Sequence, residues 1–172
     1  MLEMALGPQR IAAENQAAGE IVRWCEGLPL ALRILAARLT LRPDLRLSEM
    51  AEWLRDDQRR LAEFRVGERD LAARIRSSYA RLNPDGQLLF RRMALLASSG
   101  ADEEALTQAM DASPADVQFA LDSLVHAYLV HVAQSLHEGG RVYRQPLLMR
   151  DVARELLLQE REEPATYRSG PR

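Results

Sequence analysis

Three consecutive residues, Gly27, Leu28 and Pro29, close one helical pattern and open another. Punctuation of this kind recurs along the chain and leaves room for little besides a succession of short helices. Ahead of the corner, Ala17, Ile21, Val22, Trp24 and Cys25 follow helical spacing, and Gly27 stands where a helix C′ residue would. Behind it, Pro29 occupies a first-turn position, and Leu32, Ile34, Leu35 and Leu39 carry a second helix to Pro43. Ser48 reads as the N-cap of a third helix, with Met50, Trp53, Leu54 and Leu61 on its apolar side and Arg55, Arg59 and Arg60 on its wet side. The pattern predicts a small helical bundle over residues 1–66.

Past a loop at Val66 and Gly67, Leu71, Ile75, Ser78, Tyr79 and Leu82 predict a helix over 70–82. Asn83 and Pro84 cap and open the next, whose Leu88, Leu89, Phe90, Met93, Leu95 and Leu96 are apolar enough for a core position. A short helix with Leu106 and Met110 follows Ser98, Ser99 and Gly100, and Ser113 with Pro114 starts another bearing Val117, Leu121, Leu124 and Val125. Residues 128–132 and 141–144 are β-prone and are separated by Glu138, Gly139 and Gly140, which predicts a hairpin. The return strand ends at Pro146, and Leu147, Leu148, Val152, Leu156 and Leu157 define a last helix. Three helices and a hairpin are the winged-helix order, here over 67–160, with 161–172 read as a disordered polar tail. The expected class is therefore mainly α: a helical bundle, then a winged-helix subdomain, a helix-turn-helix variant with one β-hairpin.

Composition removes several functions. All 23 cationic residues among the 172 are arginine, so the lysine chemistry of P-loop NTPases, Schiff-base enzymes and SxxK acyl transferases is missing, and the chain reads as a non-enzyme. A single cysteine, Cys25, makes neither an internal disulfide nor a CxxC site, and is read as a small apolar filler. His126, His131 and His137 lack metal-ligand spacing, which predicts no metal site, and Trp24 and Trp53 sit at core positions of their helices. With no apolar run of about 18 residues and no signal-like start, a cytoplasmic location is expected, with no membrane partner.

Charge is distributed unevenly. Residues 1–54 carry a net −1, 55–92 +4, 93–140 −7 with no arginine at all, and 141–172 +2. The helix that enters the major groove in a winged-helix reader falls in the −7 stretch and offers Asp116, Gln118, Asp122 and Ser123, so direct DNA binding is disfavoured despite Arg141 and Arg144 on the wing. Arg55, Arg59, Arg60, Arg65, Arg69, Arg74 and Arg76 form either a docking face for an acidic partner or nucleic acid, or a solvated surface. Interleaved Asp56, Asp57, Glu63, Glu68 and Asp70 favour the solvated surface.

The run from Ile21 to Ile34, centred on Gly27-Leu28-Pro29-Leu30-Ala31-Leu32, resembles the GxP segment of NB-ARC domains, the nucleotide switches of STAND-class regulators. The likeness continues through Leu71–Tyr79 and Leu88–Arg92, covers about residues 3 to 160, and is strongest to the bacterial SARP-type transcription regulators, which control antibiotic biosynthesis. It implies an ARC1-like bundle and an ARC2-like winged helix, the lid half of an ADP/ATP switch that signals through contacts with neighbouring nucleotide-binding and effector domains. It also implies that Pro29 packs on adenine, seated by Leu28 and Leu30, although Pro29 reads equally well as a simple helix opener. The family's phosphate loop and magnesium-binding strand precede this segment, so ATP or ADP with magnesium is expected of a longer parent and no cofactor of this chain alone. The family's His-Asp phosphate sensor aligns with Pro146 and Leu147, which donate nothing to a phosphate. Either the sensor is lost, or another residue such as Arg144 or Arg150 replaces it. Two other readings stay open: a self-contained winged-helix DNA-binding protein, and a protein–protein adaptor that works without nucleotide.

Overall fold

A computed structural model describes residues 1–134 and 140–162, with side chains described through residue 160. The chain forms two compact units, Met1–Ser77 and Ser78–Arg172. Among the described residues the elements are eleven helices and two short antiparallel hairpins.

The first unit contains α1 (Leu2–Leu6), α2 (Pro8–Ala13), α3 (Asn15–Trp24), α4 (Pro29–Leu41), α5 (Leu47–Arg55), α6 (Arg60–Glu63), a hairpin of β1 (Arg65–Val66) and β2 (Arg69–Asp70), and the start of α7 (Leu71–Ala80). Its core is built on α4, where Ala31, Ile34, Leu35 and Leu39 recur at helical spacing and are fully enclosed. Ala18 and Ile21 of α3 pack with Leu47, Met50, Ala51 and Leu54 of α5, and α1 lies on α4. The end of α4 is closed by a remote side chain. The Arg10 guanidinium donates to the carbonyls of Leu39 at 2.8 Å, Arg42 at 3.3 Å and Leu45 at 2.7 Å, so a cation satisfies acceptors at the negative end of the helix.

Ser48 is not an N-cap. Helix α5 begins one residue earlier, at Leu47, and Glu14, 33 residues upstream, caps it by accepting the Leu47 and Ser48 N–H groups at 3.0 Å each and the Ser48 hydroxyl at 2.8 Å. Glu49 adds the return bond from the Arg46 N–H. Burial raises the Glu14 pKa, but these hydrogen bonds and the Arg46 charge outweigh it and leave the carboxyl below the usual glutamate range. A carboxylate so depressed adds stability above its unfolded pKa of about 4.3 and loses it as pH falls through the folded value. Glu14→Gln is therefore expected to lower the stability of this unit at neutral pH by about 1 kcal/mol in urea denaturation. The gap to the wild type should close below the glutamate range.

The second unit continues from α7 into α8 (Pro84–Met93), α9 (Glu103–Met110), α10 (Pro114–His126), β3 (His131–Gln134), β4 (Arg141–Arg144) and α11 (Leu147–Glu162). Asn83 and Ser113 cap α8 and α10 as their sequence suggests, accepting the N–H groups of Gly86 and Asp116. Leu89, Phe90 and Met93 of α8 meet α10 through Val117, Ala120, Leu121 and Leu124, and α9 and α11 close the core with Leu106, Leu148 and Val152. Val132 faces Tyr143 in the β3–β4 ladder, and Tyr143 also bridges to Ala101, which gives the wing a short third edge.

The first strand of the wing starts later than its β-prone sequence suggests. Tyr128 instead adopts φ 57°, and the Leu129 N–H bonds the Leu124 carbonyl at 3.0 Å, so these residues terminate α10 in a left-handed cap. The turn residues Glu138 and Gly139, together with His137, lie outside the described residues. Helix α11 runs to Glu162, and the remaining ten positions of the expected polar tail also lie outside them.

Candidate functional site

In the first unit, α3 ends at Trp24, and Glu26 (φ 46°) and Gly27 (φ 74°) both take left-handed backbone. The chain thereby reverses within one turn, closed by a 2.8 Å bond from the Leu28 N–H to the Cys25 carbonyl. Glycine takes this conformation without the Cβ penalty that Glu26 bears. Pro29 then opens α4 with no N–H to satisfy, its ring exposed and flanked by half-buried Leu28 and Leu30. The corner thus presents the Pro29 ring to solvent between two partly exposed leucines. Cys25, whose carbonyl closes this turn, is buried and its thiol is pushed up to about 12, which keeps it protonated and unreactive at neutral pH. An open cavity of about 710 Å³ in this unit is lined elsewhere, by residues such as Ala5, Arg33, Ala37, Leu41 and Arg69, and does not include the corner.

In the second unit, Pro146 is buried and Leu147 half-buried at the start of α11. Neither side chain can donate to an anion. Gln145 is also buried and donates from Nε2 to the Phe90 carbonyl at 3.0 Å. Of the two arginines considered as replacements, Arg144 lies exposed on β4, whereas Arg150 is 5% exposed. Arg150 directs one guanidinium nitrogen to the Ala97 carbonyl at 3.3 Å and the other to the Leu96 carbonyl, so it closes the turn that follows α8. Burial, and next the Arg154 charge, lower the Arg150 pKa, with Asp151 acting in the opposite sense. Asp151 is itself buried, with Arg154 at 3.9 Å, and was not singled out by the sequence pattern. Arg150→Met keeps the bulk and removes the donors, and is expected to cost the second unit about 1–2 kcal/mol in chemical denaturation.

The arginine-rich stretch resolves in large part into ion pairs. Arg55 meets Glu20, Arg59 meets Glu63 at 3.0 Å, Arg60 meets Asp57, and Arg65 approaches Asp70 at 3.7 Å. Arg38 also reaches Glu63 at 2.8 Å. The exposed pairs of Arg55, Arg59 and Arg65 favour the solvated-surface reading over a phosphate-binding stripe, whereas Arg60, expected on the wet side, is 1% exposed because α5 ends at Arg55 and the chain folds its guanidinium back over that helix end. Helix α10 turns Asp116, Phe119, Asp122 and His126 outward, the Gln118 amide is engaged by Asp122 at 2.8 Å, and the exposed cations nearby in sequence are Arg141 and Arg144 on the wing. Among the described residues no His, Cys, Asp or Glu group is arranged to hold a metal, and no helix is long and apolar enough to cross a membrane.

Three helices followed by a two-stranded wing, behind a helical bundle, define a mainly α, winged-helix-like chain. No family model matches it. Over 161 residues, 89% of its length, it is 33% identical to the regulatory protein AfsR of Streptomyces griseus, of which it spans 16%. Over 142 residues, 80% of its length, it is 34% identical to the regulatory protein AfsR of Streptomyces coelicolor, of which it spans 14%. The chain thus corresponds to less than a fifth of these relatives.

Proposed function

We propose that this chain acts as the bundle and winged-helix part of a SARP-type transcription regulator, the lid half of an NB-ARC nucleotide switch. In this reading it relays the state of a nucleotide site to an effector domain through contacts within a longer protein. The observation that carries the proposal is the Gly27-Leu28-Pro29 corner, turned sharply by two left-handed residues and exposed at Pro29, in a chain similar along nearly its whole length to a regulatory protein. A proline ring flanked by two leucines suits stacking on a purine. The phosphate side is not matched by side chains here, because those of Pro146 and Leu147 offer no donor and the Arg150 donors are engaged by backbone carbonyls. Bound ATP or ADP would thus take its base contact from Leu28, Pro29 and Leu30 and its phosphate and magnesium contacts from outside this chain. Within the same reading, Arg150 and Asp151, adjacent near the start of α11, are the cation and carboxylate that come nearest to a His-Asp pair, but with the Arg150 donors engaged by the Leu96 and Ala97 carbonyls they add no free donor to a phosphate. A cytoplasmic location belongs to the same proposal.

Calorimetric titration of ADP and ATP into a longer chain that carries the upstream phosphate loop tests this. The expected result is ADP binding that Pro29→Ala weakens about tenfold, a loss of about 1.4 kcal/mol. Absence of nucleotide binding, or binding indifferent to Pro29→Ala, would overturn it. In that event the second reading, an adaptor that works without nucleotide, gains; the side chains of Pro146 and Leu147, which carry no donor, favour it.

A further inference from the structure

The outward face of α10 is unlike that of a DNA reader and has a counterpart on the chain itself. Phe119, 65% exposed, stands midway between Asp116 and Asp122 on the solvent side of the helix, three residues from each. Residues 93–134 supply no arginine to neutralise these carboxylates. The solvent side of α7 has the opposite composition. Ala73, Arg74, Ser77 and Ala80 are exposed along it and Arg81 continues the same side just past its end, and Arg74 and Arg81 form no ion pair with any described residue. Spacing agrees as well. Asp116 and Asp122 are about 9 Å apart along the helix axis and Arg74 and Arg81 about 10.5 Å. Between the arginines lie only small side chains, where a phenyl ring has room.

We infer that the α10 face docks onto the α7 face of a second copy of this chain, with Phe119 seated among Ala73, Ser77 and Ala80 and the two carboxylates opposite the two guanidiniums. The inference goes beyond the nucleotide reading and stands or falls independently of it. A single helix-on-helix contact buries less than a standard interface of about 1,200–2,000 Å², so the association is weak. It is also salt-sensitive, because its charges are solvent-exposed.

Sedimentation velocity on the full chain, at concentrations from about 10 μM to about 500 μM, reads this directly. Association is expected at about 50 mM salt and is expected to disappear at about 500 mM. Phe119→Ser, or Asp116→Arg with Asp122→Arg, or Arg74→Glu with Arg81→Glu, should each leave the chain monomeric with unchanged helical circular dichroism. Mixing the two charge-reversed variants should restore a heterodimer, which a change in folding alone does not produce. A wild-type chain that stays monomeric throughout, or association that survives Phe119→Ser and both reversals, would sink the inference. So would binding of duplex DNA that Phe119→Ser abolishes, since the face would then belong to nucleic acid.

Discussion

Replacing Arg60 by alanine is expected to destabilise the first unit by about 2–4 kcal/mol, because it strips two backbone carbonyls of their charged donor and removes a buried side chain from its aromatic neighbour. Arg60 is 1% exposed, its Nε donates to the Leu54 carbonyl at 2.5 Å, a terminal nitrogen reaches the Arg55 carbonyl at 3.2 Å, and Asp57 pairs with it. The guanidinium also lies 4.5 Å from the centre of the Trp24 ring. One side chain therefore caps the end of α5, anchors α6 and holds the last residue of α3, just ahead of the corner that presents Pro29. Arg60→Lys keeps the charge and loses the planar fork, and should fall between the alanine variant and the wild type. Both tryptophans, Trp24 and Trp53, belong to this unit, so a urea titration followed by tryptophan fluorescence isolates its unfolding. An alanine variant within about 1 kcal/mol of the wild type would show that the network contributes little.

Gly100→Ala is expected to have a comparable effect on the second unit, about 2–5 kcal/mol, by combining backbone strain with overpacking. Gly100 has φ 107°, and a Cβ built there would sit 2.5 Å from Val142 Cγ1 and 3.0 Å from the Tyr143 carbonyl oxygen. Valine is stiff at χ1 and the carbonyl belongs to the wing backbone, so neither neighbour yields easily. The variant should lose the Ala101–Tyr143 bridge, which shows as faster amide exchange at both residues. Wild-type exchange there, with an unchanged denaturation midpoint, would mean the wing tolerates the methyl group.

Features governed by neighbouring residues were legible in the sequence. Pro29, Pro84 and Pro114 open helices, Asn83 and Ser113 cap them, and most of the 3.6-residue apolar repeats of α4, α8 and α10 lie in the cores, whereas Leu95, expected in the core, is 65% exposed because α8 ends at Met93. Features that depend on distant partners were not. The cap of α5 comes from Glu14 and that of α4 from Arg10, each some thirty residues upstream, and no local pattern announces either. The two-residue strands β1 and β2 are too short to show a period. At 128–130, β-propensity was overridden by the way α10 ends. Pro29 was legible as a helix opener, whereas its exposure required the fold. Arg150 was legible as a cation near the end of the wing, whereas its engagement by the Leu96 and Ala97 carbonyls required the fold.

Cys25 also makes the molecule its own reporter. It is the sole thiol, it is buried at the start of the turn that leads to Pro29, and at neutral pH it stays protonated while the first unit is closed. An alkylating reagent can therefore react only when that unit opens and the thiol returns toward its ordinary pKa of about 8.5. The labelling rate then measures the free energy of local opening at the corner in the unmodified protein, separately from any event in the winged-helix unit.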